Sequence, residues 1–204
     1  MRDYGVRDIS TMDDAALVEQ FRKGDVGAFE ELVRRYQDKV MATCVRMLGN
    51  HADAEDAAQE VFVKVYDALP RFDPRAKFST WLYRISTNHC LNVLRARKVR
   101  RFFSLQRTEP EADGYLPSAQ CDPGPGPDGA VEQEECGRAL WKAIDSLPES
   151  QKVATVLARF GNLSYAEIAE VMETTVSAVE SILHRAKRQL YRELSDLLEE
   201  GPQV

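Results

Sequence analysis

The stretch KFSTWLYRISTNHCLNVLRARKVRR, residues 77–101, decides how the rest of the chain is read. It lies inside a segment, Arg75 to Thr108, that holds nine Arg or Lys residues and not one Asp or Glu, in a chain whose formal charge is -6. Leu82, Ile85, Leu91 and Leu94 stand at helical positions, and Ser79 or Thr80 stands where a helix begins, so the spacing predicts a helix with those apolar residues buried. Phe78, Trp81 and Tyr83 stand among the cations. An acid-free helix with three rings is out of keeping with an acidic chain, and the neighbouring segments show what it belongs to.

Upstream, Phe29, Leu32, Val33, Tyr36, Val40, Cys44 and Leu48 recur at three- and four-residue steps, which predicts one stripe of a long helix ended by Gly49-Asn50. A second stripe, Ala58, Val61, Phe62, Val65, Tyr66 and Leu69, stops at Pro70. No alternating run reads as a strand, so residues 13–103 are expected to form a helical bundle. Residues 109–130 hold five of the nine prolines and four glycines with almost nothing to form a core, and 104–130 is read as a flexible acidic linker.

A second helical domain is expected over 131–199. Leu140, Ile144 and Leu147 mark one helix, and Val153, Val156, Leu157 and Phe160 mark another that ends at Gly161. Ser164-Tyr165-Ala166-Glu167 has the form of a capping box opening a helix through Met172. Thr175 can cap a further helix with Val176, Val179, Leu183 and Ala186 on its inner face. Two short helices joined by a tight turn resemble a helix-turn-helix. The expected fold is all-α, two small helical domains joined by a linker.

A length of 204 residues with 44% apolar and 29% charged residues fits one or two small soluble domains. There is no run of 18 apolar residues, and the opening MRDYGVRDISTMDD has no apolar signal-peptide core. Neither membrane insertion nor export is expected, and the expected location is the cytoplasm. Cys44, Cys90, Cys121 and Cys136 lie far apart with no CxxC pair, so reduced structural thiols are expected and no metal site. His89 and Cys90 are adjacent, which on a helix points them in different directions. Nothing places a nucleophile, base and orienting acid together, and no glycine-rich phosphate loop appears. No catalytic residues and no cofactor are expected.

Rings and cations together are what single-stranded nucleic acid requires, with cations along its backbone and aromatic faces on which bases stack. Arg84, Arg95, Arg97 and Lys98 supply the charge beside Phe78, Trp81 and Tyr83. Asn88 and Asn92, one helical turn apart, can offer amides to base edges turned out of the stack. Taken singly, Phe78 or Trp81 is more often plain core; the coincidence of rings, amides and cations without an acid favours binding. In the second half, Ser177, Ala178, Glu180, Ser181, His184 and Arg185 fall on or near the open face of a helix suited to the major groove, and Arg185, Lys187 and Arg188 can reach phosphate or guanine. Glu180 repels phosphate, although a carboxylate accepts from cytosine N4. On pattern alone, a plain helical hairpin with a solvated basic end is an equal alternative.

Asp53-Ala54-Glu55-Asp56-Ala57-Ala58-Gln59-Glu60-Val61-Phe62, followed by Phe78-Ser79-Thr80-Trp81-Leu82-Tyr83-Arg84-Ile85, resembles the second region of bacterial extracytoplasmic-function sigma factors. Leu147-Pro148 and the run from Leu163 to Leu190 resemble their fourth region. The resemblance implies a subunit, not an enzyme, that binds core RNA polymerase and promoter DNA, duplex and single-stranded, and nucleates promoter melting. It implies that Asp53, Glu55, Asp56, Gln59, Glu60 and Phe62 dock on the clamp of the polymerase largest subunit, with a further contact at the flap. It implies that Phe72 and Lys77 hold a base flipped from the minus-ten element, with Thr80 in the same set and the helix of Asn88 and Asn92 reading its neighbours. The recognition helix would read the minus-thirty-five element, and an anti-sigma factor would control the whole. Glu173 stands where many members have a turn glycine, which predicts a different turn backbone. Glu180 and Ile182 occupy positions often basic in the family.

Two other classes of protein share parts of this pattern. In a regulator, the helix-turn-helix would bind an operator while the first half senses or dimerises. A nucleic-acid-modifying enzyme would need an acid, metal set or nucleophile near the aromatic helix, and the sequence offers none.

Overall fold

The computed structural model describes residues 9–104, 137 and 139–199; the expected linker lies outside them from residue 105 on. A 3₁₀ turn at Ile9–Thr11 leads into α1 (Asp14–Arg22), α2 (Val26–Leu48) and α3 (His51–Ala68), then a 3₁₀ turn at Leu69–Arg71 and α4 (Phe78–Ser104). The second half opens with a helix over 139–146, α5, and continues with α6 (Glu149–Phe160), α7 (Tyr165–Val171) and α8 (Val176–Glu199). Every regular element among the described residues is helical, in keeping with the stripes.

Local chemistry sets the ends. Gly49 closes α2 at φ 69°, a left-handed conformation that costs other residues about 1–2 kcal/mol, and its N–H donates to the Val45 carbonyl at 2.8 Å. Asn50 at once opens α3, its side-chain oxygen accepting from the N–H groups of Ala52 and Asp53 at 2.9 and 3.3 Å. The capping box forms as read, with Ser164 Oγ accepting from the Glu167 N–H and Glu167 accepting from the Ser164 N–H at 2.8 Å. Thr175 Oγ1 accepts from the Ala178 N–H at 3.2 Å and starts α8. Helix α1, which no long stripe announces, buries only Leu17 and Val18.

Burial departs from the stripes most clearly on α3, on α4 and at the start of α8. Helix α3 turns Ala54, Ala57, Val61 and Val65 inward, leaves Ala58 and Phe62 at the rim and exposes Tyr66. On α4, Leu82 is buried as expected, but Ile85, Leu91 and Leu94 are only half-buried while Tyr83, Ser86, Thr87 and Cys90 are enclosed. The cause is that α4 is gripped by α2 and α3 and by α7 as well. Ser86 and Thr87 tolerate this because their hydroxyls donate to the carbonyls of Leu82 and Tyr83 at 2.9 and 2.8 Å. Val176 is exposed, not inward.

The two halves meet. Helix α6 lies on α2 and α7 on α4, and Val153, Val156, Leu157 and Ile168 belong to the same buried cluster as Val40, Cys44 and Phe78. Cys44 and Cys90 are free buried thiols with Sγ atoms 3.7 Å apart. Cys121 and Cys136 lie outside the described residues.

The turn between α7 and α8 corrects the expectation drawn from Glu173. Its φ of 52° is left-handed, so a glutamate adopts the backbone that glycine favours, at a cost of about 1–2 kcal/mol. Glu173→Gly, compared with Glu173→Gln, which keeps the strain but not the charge, should stabilise the chain by about 1 kcal/mol in thermal unfolding. Gly49→Ala should destabilise it by a similar amount. An E173G midpoint at or below that of E173Q contradicts the strained turn.

Candidate nucleic-acid interface

Along α4, Arg84, Asn88, Asn92, Arg95 and Lys98 are all exposed and follow three- and four-residue steps, so they share one face. Trp81 is half-buried at the upper end of this row, and exposed Lys77 precedes it. The described part of the acid-free segment thus presents cations and two amides to solvent in a single line.

The other predicted rings, and Thr80 with them, do not reach that surface. Phe72, Phe78, Thr80 and Tyr83 are exposed by only 4, 3, 6 and 4%. Phe72 stands 4.9 Å from Trp81 and 5.9 Å from Phe78, ring centre to ring centre, and Phe78 packs edge-on against Tyr36 at 5.4 Å. Burial pushes the Tyr83 hydroxyl pKa up. These residues are supports: they fix Trp81 by filling the space beneath it. Arg22 donates to the Phe72 carbonyl, which ties the loop before α4 to α1.

Arg97 is a second correction. Unlike Arg95 and Lys98 it points into the bundle, where it donates to the Leu48 carbonyl at 3.1 Å and pairs with Asp53. A cation there satisfies the orphan carbonyl end of α2. Arg97 and Asp53 therefore brace α2, α3 and α4 together, and Asp53 is not a free carboxylate.

The rest of the acidic set lies along α3. Glu55, Asp56, Gln59 and Glu60 are exposed, and Phe62 is half-buried. Glu55 meets His51 at 3.1 Å, and Lys64 meets Glu60 at 3.0 Å, holding that carboxyl below its ordinary range. Lys64 also contacts His89 Nδ1 at 3.2 Å. Burial, then the Lys64 charge, lowers the His89 pKa. The side chains of Asp56 and Gln59 have no hydrogen-bond or ion-pair partner among the described residues. Beside them α2 and α3 enclose a groove of about 770 Å³ floored by Phe29, Val33, Met41 and Phe62 and edged by Val63 and Tyr66. Sequence reading missed it. The signal was there in Val63, an apolar residue off the predicted stripe, which is 59% exposed.

In the second half α7 and the start of α8 form the helix-turn-helix. Ser177, Glu180, Ser181, His184, Arg185, Lys187 and Arg188 are exposed, and Ala178 is half-buried. Val179 and Ala186 anchor the opposite side. Arg185 Nε donates to the Ser181 carbonyl at 3.2 Å, and Lys187 lies 5.6 Å from the Tyr191 ring centre. The helix presents a free face of suitable shape for a major groove.

A helical bundle with a cationic, amide-bearing helix, followed by a helix-turn-helix, defines a two-part DNA-binding factor. Comparison with known proteins makes the class specific: residues 32–100 match the family model of sigma-70 region 2 and residues 137–190 that of sigma-70 region 4. The ECF RNA polymerase sigma factor SigW of Bacillus subtilis is 37% identical over 180 residues, 88% of this chain and 96% of its own length. The ECF RNA polymerase sigma-E factor of Escherichia coli K12 is 36% identical over 185 residues, 91% of this chain and 96% of its own. The chain belongs to the extracytoplasmic-function sigma factors. Among solved structures, CnrH bound to the cytosolic domain of CnrY superposes with a TM-score of 0.62 at 25% identity, covering 93% of this chain and 99% of that one. Sigma factors are non-enzymatic initiation subunits, and this chain is one of them.

Among the described residues no three metal-binding side chains converge, and no helix is long and apolar enough to cross a membrane. The divided roles on α4 are measurable. Arg97→Ala should cost about 1–2 kcal/mol in thermal unfolding, since it removes a partly buried charge-assisted pair and a carbonyl partner. Asn88→Ala, on the exposed row, should shift stability by less than about 0.5 kcal/mol. The reverse ranking contradicts the assignment of brace and contact.

Proposed function

We propose that the chain docks on the largest-subunit clamp of core RNA polymerase through Asp56, Gln59 and Glu60 of α3, with the α4 row capturing the minus-ten strand and α8 reading the minus-thirty-five element. Residues 13–103 are then the minus-ten and polymerase-binding domain, 104–130 the linker and 131–199 the minus-thirty-five domain, which also meets the flap. The carrying observation is the exposed row of Arg84, Asn88, Asn92 and Arg95 beside Trp81, in a segment without one acid. The amides and the indole suit bases turned out of the stack, and the cations suit the phosphates between them.

Energetics give the division of labour. A base-pair step is worth about 1.4 kcal/mol in stacking, so opening roughly ten pairs costs about 14 kcal/mol. Two or three bases captured at about 1–3 kcal/mol each return only part of that. The chain nucleates opening, and the polymerase holds the rest. With a net charge of -6 the chain alone gains little from phosphate attraction, which dominates non-specific affinity.

The carboxylates and amide on α3 suit an arginine-rich partner. The apolar groove beside them suits a regulatory polypeptide, and we assign it to an anti-sigma factor that withholds the chain from polymerase. CnrH, the 25% identical neighbour, likewise carries a second polypeptide, the cytosolic domain of CnrY. The place of action is the cytoplasm, where the polymerase works.

Core polymerase reconstituted with the chain should start transcripts at discrete promoters without another sigma factor. Asp56→Ala with Gln59→Ala should weaken core binding by about tenfold or more, equivalent to about 1.4 kcal/mol, without changing the thermal midpoint. Random starts with wild type, or tight sequence-specific binding by the isolated chain in a gel shift at physiological salt, contradict the reading.

A further inference from the structure

In its first two turns α8 carries a single exposed side chain that can only accept hydrogen bonds. Val176, Ser177, Glu180 and Ser181 are the exposed residues between 176 and 182, and Ala178 and Ile182 are half-buried. The serine hydroxyls both donate and accept, so either can meet any base edge, whereas a carboxylate only accepts. Val179 and Ala186, exposed by 0 and 1%, fix the rotation of the helix. Glu180 therefore stands within the row of Ser177, Ser181 and His184, at three- and four-residue steps along the open face.

Nothing within the chain employs this carboxylate. The side chain of Glu180 has no hydrogen-bond or ion-pair partner among the described residues. The residues three and four away are Val176, Ser177, Leu183 and His184, none of them Arg or Lys, so the ordinary ion pair between helix neighbours is not open to it. The nearby cations turn elsewhere: Arg185 Nε donates to the Ser181 carbonyl at 3.2 Å, and Lys187 lies 5.6 Å from the Tyr191 ring centre. Nor does Glu180 support the start of the helix. Thr175 is the residue that caps it, and residue 180 lies past the first turn, to which the dipole's preference for acids is confined.

On a polyanion such a group weakens binding to most sequences. Phosphate repels it, and the guanine O6 and N7 and thymine O4 edges are acceptors that leave it without a partner. Cytosine N4 is a donor with no acceptor beside it on the same base, while adenine N6 stands next to the N7 acceptor. A carboxylate desolvated against the wrong edge loses more than a neutral group would. A penalty of this kind discriminates as effectively as an attraction.

We infer that Glu180 selects a cytosine at one position of the minus-thirty-five duplex, accepting from its N4 amino group in the major groove and rejecting guanine and thymine there. The inference rests on the minus-thirty-five reading of α8 and names the base that the helix selects. Ser177 and Ser181 flank the carboxylate and adapt to the bases on either side. Arg185, Lys187 and Arg188, further along, supply the phosphate attraction that offsets the acid.

The experiment uses core polymerase reconstituted with the full chain and a promoter mapped with it. Each base pair of the minus-thirty-five element is replaced in turn by the other three, and complex formation is read by competition for wild type, E180A and E180Q. Wild type should favour cytosine at one position, with inversion of that pair lowering complex formation by about 5- to 150-fold. E180A should lose that preference, keep the rest of the profile and bind the inverted promoter more tightly than wild type does. E180Q should shift towards adenine, whose N6 and N7 an amide meets together. Because Glu180 is exposed, both variants should keep the wild-type thermal midpoint.

An E180A profile that matches wild type at every position overturns the inference. A uniform change across all sequences with the preference kept also overturns it, since that marks mere repulsion, as does a loss of core binding in the absence of DNA, which marks a protein contact. In each of these cases a wild-type sequence preference within the element leaves the reading of α8 intact. A wild-type profile that is flat over the whole element removes that reading, and the assignment of Glu180 with it.

Discussion

The structure depends on one imbalance: α4 carries a row of cations that no acid of its own segment can neutralise. Ion pairs between neighbours on a helix are the ordinary fate of exposed charge, worth a few tenths of a kcal/mol each. Withholding them leaves Lys77, Arg84, Arg95 and Lys98 to seek negative charge elsewhere. That charge can come from nucleic acid or from the other half of the chain, and the fold offers both. Everything beneath the row keeps it in place. Phe72 and Phe78 set Trp81, Arg97 locks the far side to α2 and α3, and Cys90 lies in the interior against Cys44.

The bundle also separates its tasks by face. The carboxylates and amide of α3 and the apolar groove beside them lie on one side, and the α4 row lies on another. A protein that must hold a large cationic partner and a polyanion at once cannot mix those surfaces, because each would repel the other's ligand. Lys64, between Glu60 and His89, marks the boundary. The acidic total acts in the same direction at the scale of the molecule: a net charge of -6 weakens phosphate attraction to the chain by itself.

Much of this was legible in the sequence, for identifiable reasons. A stripe as long as that of α2, the Gly49-Asn50 stop and start, and the Ser164–Glu167 box are local signals, and each formed where it was read. What escaped was set by tertiary geometry. The inward face of α3 is chosen by Ala54 and Ala57, whose small side chains allow close helix approach, so the larger Phe62 and Tyr66 are left at the rim. Arg97 and Lys98 are neighbours of like charge, and only the position of the Leu48 carbonyl makes one a brace and leaves the other exposed. The carboxylates that meet Arg95 and Lys77 lie 54 and 90 residues away, beyond the reach of any pattern. Glu173 was read from its side chain, whereas its backbone follows the turn.

The central claim is that unpaired promoter bases lodge against the exposed row of α4. The most direct measurement is permanganate reactivity of minus-ten thymines in complexes of core polymerase with wild type and with Trp81→Ala/Asn88→Ala/Asn92→Ala. Loss of reactivity in the variant, with closed-complex formation retained, is the predicted result; an unchanged pattern of reactive thymines would contradict it.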